Sequence, residues 1–97
     1  MTLHFEGPAE TEIFEIADFY DTVRKSLSDD FGESVFRRLD EILIFPESQP
    51  RVSKKFRKAS VPGFPYHIIY QIREEEVWVI AIWHNKRKPG SWKKRLS

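Results

Sequence analysis

The stretch Tyr66-His67-Ile68-Ile69-Tyr70-Gln71-Ile72-Arg73, then Glu74-Glu75-Glu76, then Val77-Trp78-Val79-Ile80-Ala81-Ile82-Trp83 decides how this chain folds. Both flanks are dense in β-branched and aromatic side chains, which suit a pleated, buried surface. The three glutamates between them read as the connection of a tight hairpin. Neither flank alternates apolar with polar residues, so the middle of the sheet is expected to be covered on both faces. A strict period of two along Val77–Trp83 would put Trp78 and Trp83 on opposite faces.

Working upstream, Pro62-Gly63-Phe64-Pro65 is a turn. Before it, Lys54 to Val61 reads as a cationic strand, with Phe56, Lys58 and Ser60 on one face and Lys55, Arg57 and Ala59 on the other. Pro46 to Ser53 is a loop. Further upstream the apolar period lengthens to that of a helix. Ala9, Ile13, Ile16, Ala17, Tyr20, Val23 and Leu27 form one stripe, and Phe31, Val35, Leu39, Ile42 and Phe45 form a second, widened by Phe36 and Leu43. Pro8 suits a first helical position. Ser28, followed by Asp29 and Asp30, reads as the N-cap of the second helix, and Pro46 stops that helix. Two amphipathic helices joined by a very short turn make an antiparallel hairpin. Thr2 to Glu6, with Leu3 and Phe5 alternating, is a short strand expected at a sheet edge beside Lys54–Val61. The fold class is therefore α+β: an N-terminal strand and a helix hairpin packed on a mostly antiparallel sheet of about four strands. Phe14 and Phe19 lie off the first helical stripe and are candidates for exposed apolar surface.

Composition narrows the function classes. The chain has 97 residues, 40% of them hydrophobic, with eight Phe, three Tyr and three Trp. That is one domain, residues 1–97, with material for one core. It has no Cys, which excludes a disulfide framework, a zinc ribbon and a thiol nucleophile. No apolar run reaches the roughly 18 residues of a membrane helix, and Met1–Glu6 lacks the layout of a signal peptide, so no membrane partner and a cytoplasmic location are expected. His4, His67 and His84 have no ligand spacing, and no Gly-rich phosphate loop or paired-carboxylate motif occurs. Neither a metal nor a cofactor is expected.

The net charge of +1 hides a division. Residues 1–50 carry four basic and twelve acidic side chains, a net of −8, and residues 51–97 carry twelve basic and three acidic, a net of +9. The basic half gathers Lys54, Lys55, Arg57 and Lys58 on one predicted strand and Lys86, Arg87, Lys88, Lys93, Lys94 and Arg95 in the tail with Trp92. Such a surface attracts phosphates or an acidic protein segment, unless the two halves neutralise each other across the fold. His67 and His84 fall on adjacent predicted strands, and either has the chemistry of a general acid or base for RNA cleavage. On these residues alone, a nucleic-acid-binding module and an enzyme are both open.

The segment Gly63-Phe64-Pro65-Tyr66-His67-Ile68-Ile69-Tyr70-Gln71-Ile72, then Val77 to His84, then Lys86-Arg87-Lys88-Pro89-Gly90-Ser91-Trp92, resembles the C-terminal half of the RelE/ParE toxin superfamily. The earlier order, an acidic helix with Phe19-Tyr20, then Phe36 and Ile42, then Pro46 and Pro50, fits it too. The resemblance implies the toxin of a bacterial type II toxin–antitoxin pair, with a helix hairpin on an antiparallel sheet, neutralised in a hetero-oligomer by a small antitoxin whose tail wraps it. It implies a role of the plasmid-stabilisation kind. RelE-like members cut messenger RNA on the ribosome, whereas ParE-like members inhibit DNA gyrase and cut nothing. In the RelE-like pattern an arginine follows the tyrosine that opens the central strand, and His67 stands there. A second arginine follows the last strand, and Arg87 matches it. A tyrosine is expected near the C-terminus, and Trp92 and Lys93 stand there instead. The resemblance therefore favours a ParE-like, non-enzymatic inhibitor, with Lys55, Arg57, Lys86, Arg87, Trp92 and Arg95 as expected target contacts. The alternative is a RelE-like endoribonuclease, in which His67, His84, Arg87 and Arg57 would be catalytic.

Overall fold

The computed structural model describes the backbone of residues 1–96 and the side chains of residues 1–94. In chain order the elements are β1 (Thr2–Phe5), α1 (Gly7–Val23), α2 (Lys25–Ile44), β2 (Arg57–Ser60), β3 (Tyr66–Arg73), β4 (Glu76–His84) and a C-terminal 3₁₀ turn (Ser91–Leu96). The four strands form one sheet in the order β1-β4-β3-β2. The β2–β3 and β3–β4 pairs are antiparallel, and β1 runs parallel to β4 from Thr2 opposite Glu76 to Phe5 opposite Val79.

The N-terminal strand thus lies at an edge, but beside β4 and not beside the cationic strand. The reason is burial: Val77, Val79, Ile80, Ala81, Ile82 and Trp83 are all within 2% of complete burial, so β4 needs a neighbour on each side as well as cover on each face. The cationic strand is also shorter than expected. Lys54 and Lys55 precede it, because the chain bends there and Arg51 bridges back to Arg57.

The β3–β4 connection is reduced to Glu74 and Glu75, with Glu76 already in β4. Glu74 takes a positive φ of 54°, the left-handed backbone that matches a tight hairpin to the strand twist. Pairing is regular from Arg73–Glu76 to Tyr70–Val79, then resumes at Ile69–Ala81, so Ile80 is an extra residue. That bulge resets the alternation of β4. Trp78 and Trp83, expected on opposite faces, lie on the same one.

α1 and α2 pack on one face of the sheet. Ala9, Ile13, Phe31, Val35, Leu39 and Ile42 meet Ala59, Ile68, Tyr70, Val77, Val79 and Ile82 there. The opposite face carries Ile69, Ile80, Ala81 and Trp83, closed by Phe56 and Trp92. The helix break falls at Arg24, not at Ser28. Arg24 alone is extended (φ −171°, ψ 142°), and its N–H still bonds the Tyr20 carbonyl at 3.0 Å. One extended residue reverses the chain and lets the Tyr20 ring meet Phe31, with centroids 5.5 Å apart. The polar run that suggested a cap sits inside the first turns of α2, where Asp29 pairs with Lys25. Three expected stripe members are exposed: Phe36, at the margin of the α2 stripe, turns away from the sheet, and two others lie at the helix ends. Val23 sits at the break, and Phe45 has left helical geometry as the α2 cap (φ −133°, ψ 75°).

Candidate functional site

Both charge halves keep to themselves. Among the described residues, Lys25–Asp29, Arg37–Glu33 and Arg38–Glu41 pair within α2, while Arg73–Glu6 and His4–Glu76 join the halves. Among the described residues, Arg51, Lys54, Lys55, Arg57, Lys58, Lys86, Arg87, Lys88 and Lys93 form no salt bridge. Neutralisation across the fold therefore does not account for the basic half, and its cations remain available to an outside anion.

Seven of these cations line two depressions, and Lys86 and Lys88 line neither. The first, of about 320 Å³, is lined by Lys58, His67, Asn85, Arg87 and Lys93 over Ile69 and Trp92. Its construction follows from the sheet. His67 lies opposite Trp83 on β4 and opposite Ser60 on β2, so its side chain emerges on the face away from the helices. Lys58, opposite Ile69, emerges on the same face two residues along. The chain turns immediately after β4, with the Arg87 N–H on the His84 carbonyl at 3.0 Å and the Asn85 N–H on the Pro65 carbonyl at 2.9 Å. That turn brings the Asn85 Oδ1 to 2.7 Å from His67 Nδ1. It also lays the Arg87 guanidinium on the Trp83 ring, 3.6 Å from its centroid. The stacked face holds the guanidinium in place, and its N–H donors point sideways in the guanidinium plane.

A second depression, about 390 Å³, is lined by Arg51, Lys54, Lys55 and Arg57 with Glu47 and Gln71. Arg57 belongs here and is not brought to His67. Its guanidinium donates to the Glu47 and Gln49 carbonyls at 3.0 and 2.7 Å, tying the loop before β2 to the strand.

The two histidines do not converge. His84 lies opposite Tyr66 and packs edge-on against that ring at 5.0 Å. Tyr66 is packed against the helix-side core, so His84 faces the side opposite His67. The His84 Nδ1 accepts the Lys86 N–H at 3.0 Å. Of the four residues expected to act together in a nuclease, only His67 and Arg87 share a depression. Among the expected target contacts, Lys55, Lys86 and Arg87 are exposed, and Arg57 is partly so. Trp92 is 2% exposed and holds up the floor of the first depression, edge-on to Phe56 at 4.9 Å, which makes it a packing residue in this fold. The Arg95 side chain lies outside the described residues. Asn85 was not singled out from the sequence; a lone amide just after a strand has no spacing to mark it, and only the Pro65 register brings it to His67.

On the helix side, Phe14, Phe19 and Phe36 are 63%, 60% and 50% exposed, as their off-stripe positions suggested for the first two. Burial raises the hydroxyl pKa of Tyr20, with a smaller contribution from Tyr66, and raises that of Tyr66 itself. Tyr70 is pushed up to about 12 by burial, although nearby Arg57 pulls the other way. These tyrosines are protonated packing groups at neutral pH. Among the described residues no three of His, Cys, Asp and Glu come together as a metal site, and no helix is long and apolar enough to cross a membrane.

The family model for the ParE toxin of the type II toxin–antitoxin system parDE matches residues 3–89. The chain belongs to the ParE toxin family. Two solved structures share this ParE-family fold. A chain of the chromosomal ParDE system from P. aeruginosa superposes with a TM-score of 0.75 at 14% identity, covering 87% of this chain and 95% of that one. The isolated E. coli RelE toxin superposes with a TM-score of 0.64 at 23% identity, covering 99% and 98%. At these identities the likeness establishes the fold, including the helix hairpin on the sheet. No curated protein sequence matches the chain.

Proposed function

We propose that this ParE-family toxin inhibits growth by binding DNA gyrase in the cytoplasm, cuts no nucleic acid, and is held inactive by a small antitoxin. The observation that carries the non-enzymatic reading is the separation of His67 and His84 onto opposite faces of the sheet. Cleavage of RNA at its 2′-hydroxyl needs a base and an acid at one phosphate, and only His67 has that chemistry beside Arg87. His67 also stands where the RelE-like pattern has an arginine. Losing one electrostatic donor of that kind typically costs on the order of 10²–10³ in rate. The antitoxin is supported by the exposed Phe14, Phe19 and Phe36 and by the cations without salt bridges. The P. aeruginosa neighbour, a chain of a chromosomal ParDE toxin–antitoxin system, lends the same support.

The test sets two assays side by side with the purified chain. Gyrase supercoiling should be inhibited, and primer extension on programmed ribosomes should show no codon-positioned cuts. Cuts without gyrase inhibition would replace this reading with the ribosome-dependent nuclease, which the cationic depression around His67 also suits. Harmless expression in growing cells, with neither activity, would leave a non-toxic binding module.

A further inference from the structure

We infer that this chain associates with a second copy of itself, the acidic outer face of α1 in one copy seating on the cationic depression before β2 in the other, with Phe14 against Ile44 and Phe45. This needs neither gyrase nor an antitoxin and does not rest on the reading above.

The first of the two surfaces is α1, which carries five carboxylates and no cation over Gly7–Val23. Glu12 turns inward and accepts the Ile82 N–H at 3.0 Å. Glu10, Glu15, Asp18 and Asp21 are exposed and have no salt bridge among the described residues. Glu10 and Asp18 stand one helical turn on either side of Phe14. An exposed aromatic ring therefore sits in an acidic frame.

The second surface has the opposite sign and the same plan. Ile44 and Phe45 are exposed where α2 ends. Glu47 borders both this apolar patch and the depression of Arg51, Lys54 and Lys55, so the two are continuous. Glu47 is the single carboxylate among the described residues that line the depression. Arg57 is held by the Glu47 and Gln49 carbonyls, which leaves Arg51, Lys54 and Lys55 as the free charge contacts.

Within one chain the surfaces do not meet. α1 packs on β4, whereas the depression is built from β3, the start of β2 and the loop before it, and no salt bridge joins them among the described residues. A second copy supplies the complement of each. The net charge of only +1 leaves two copies with little mutual repulsion, a condition that favours association. Exposed ion pairs contribute little singly. The apolar centre therefore supplies the affinity, and the charges around it select which surfaces meet. A nucleic acid on the depression would leave Ile44 and Phe45 uncovered. An antitoxin seated on Phe14 would displace the second copy, so the two occupancies exclude each other.

The experiment is sedimentation equilibrium of the purified chain from about 10 μM to about 1 mM. At about 0.01 M salt, where the Debye length is about 30 Å, the average mass should rise above that of the monomer with concentration. At about 1 M salt, where the Debye length is about 3 Å, the dissociation constant should be at least about tenfold higher. Glu10→Lys with Asp18→Lys, and separately Lys54→Glu with Lys55→Glu, should each weaken self-association by about tenfold or more. Mixed one to one, these two variants should associate again, because each then meets a surface of opposite sign. Glu74→Lys with Glu75→Lys changes the net charge as much as the α1 pair, but in the β3–β4 turn, and should associate like the parent. Circular dichroism melts identify any variant that fails to fold, and Glu10→Gln with Asp18→Asn then stands in with a smaller loss. The inference is overturned by a monomer at every concentration in low salt, by association that both reversal pairs leave unchanged, or by the Glu74 and Glu75 variant weakening as much as the α1 pair. Sedimentation uses neither gyrase nor ribosomes, so its failure leaves the target reading in place, and the failure of that reading leaves this one.

Discussion

Replacing Trp92 with alanine tests whether the C-terminal turn belongs to the core or to the target surface. The indole is 2% exposed and meets Phe56 edge-on, with centroids 4.9 Å apart and planes at 77°. Beneath it lie Ile69, Ile80, Ala81 and Trp83, which have no other cover from the helices. Truncating a buried aromatic side chain costs about 3–5 kcal/mol, of which the edge-on pair supplies about 0.5–1.5. A domain of this size is stable by only about 5–15 kcal/mol, so the loss is a large share. With about 4–8 °C in melting temperature for each kcal/mol, Trp92→Ala should lower Tm by more than about 12 °C. Thermal and urea unfolding followed by far-ultraviolet circular dichroism measure it. Arg87→Ala is the control: Arg87 is exposed and contributes an exposed cation–π contact of about 0.5–1 kcal/mol. Its Tm should move by less than about 8 °C. A double-mutant cycle with Phe56→Ala should return a coupling of about 0.5–1.5 kcal/mol. A Trp92→Ala midpoint within about 4 °C of the parent would refute the docked turn and return Trp92 to the contact surface.

Three further outcomes follow from named contacts. Tyr70 is fully buried, donates its hydroxyl to the Pro46 carbonyl at 2.6 Å, and has a pKa raised from about 10 to about 12. Its folded pKa exceeds the unfolded one, so its contribution is intact below pH 10 and is lost as pH rises towards 12. At about 1.4 kcal/mol per pKa unit the loss is at most about 3 kcal/mol; urea midpoints should show it, and Tyr70→Phe should remove most of the decline. Arg38 reaches from α2 to the Ser60 carbonyl at 2.8 Å and to Glu41 at 2.7 Å. Arg38→Ala should cost about 1–3 kcal/mol in urea unfolding by leaving that carbonyl without its charged donor, and Arg38→Lys should restore little because it lacks the fork. Phe14→Ser and Phe19→Ser should shift stability by no more than about 0.5 kcal/mol, yet reduce co-purification with the product of the adjacent gene.

Much of the candidate site was within reach of the sequence, and the rest was not, for a reason visible in particular residues. Arg87 stood out because a cation after a strand and before Pro-Gly faces solvent. His67 was found by its place next to Tyr66, although its partner Asn85 was not. Arg57 and Lys58 are adjacent in sequence, and the alternation of a strand sets them on opposite faces, but what each face meets was not legible. Arg57 is spent on the Glu47 and Gln49 carbonyls, and Lys58 enters the His67 depression.

The sequence by itself determined the helix hairpin, the β3–β4 hairpin, the burial of both sheet faces and the division of charge. Each of these depends on local periodicity or on composition, which a chain carries wherever it folds. Only the tertiary structure decided four other things: the side of the sheet on which β1 pairs, the helix break at Arg24, the bulge at Ile80, and the partners of each histidine. The bulge shows why. One extra residue in β4 leaves the sequence pattern unremarkable, yet it inverts the facing of every residue on one side of it relative to the other. It puts Trp78 and Trp83 on one face, and Arg87 stacks on Trp83 there. Whether a cation in this chain is structural, catalytic or a contact for an anion was therefore a matter of register between strands distant in sequence, and no local pattern records it.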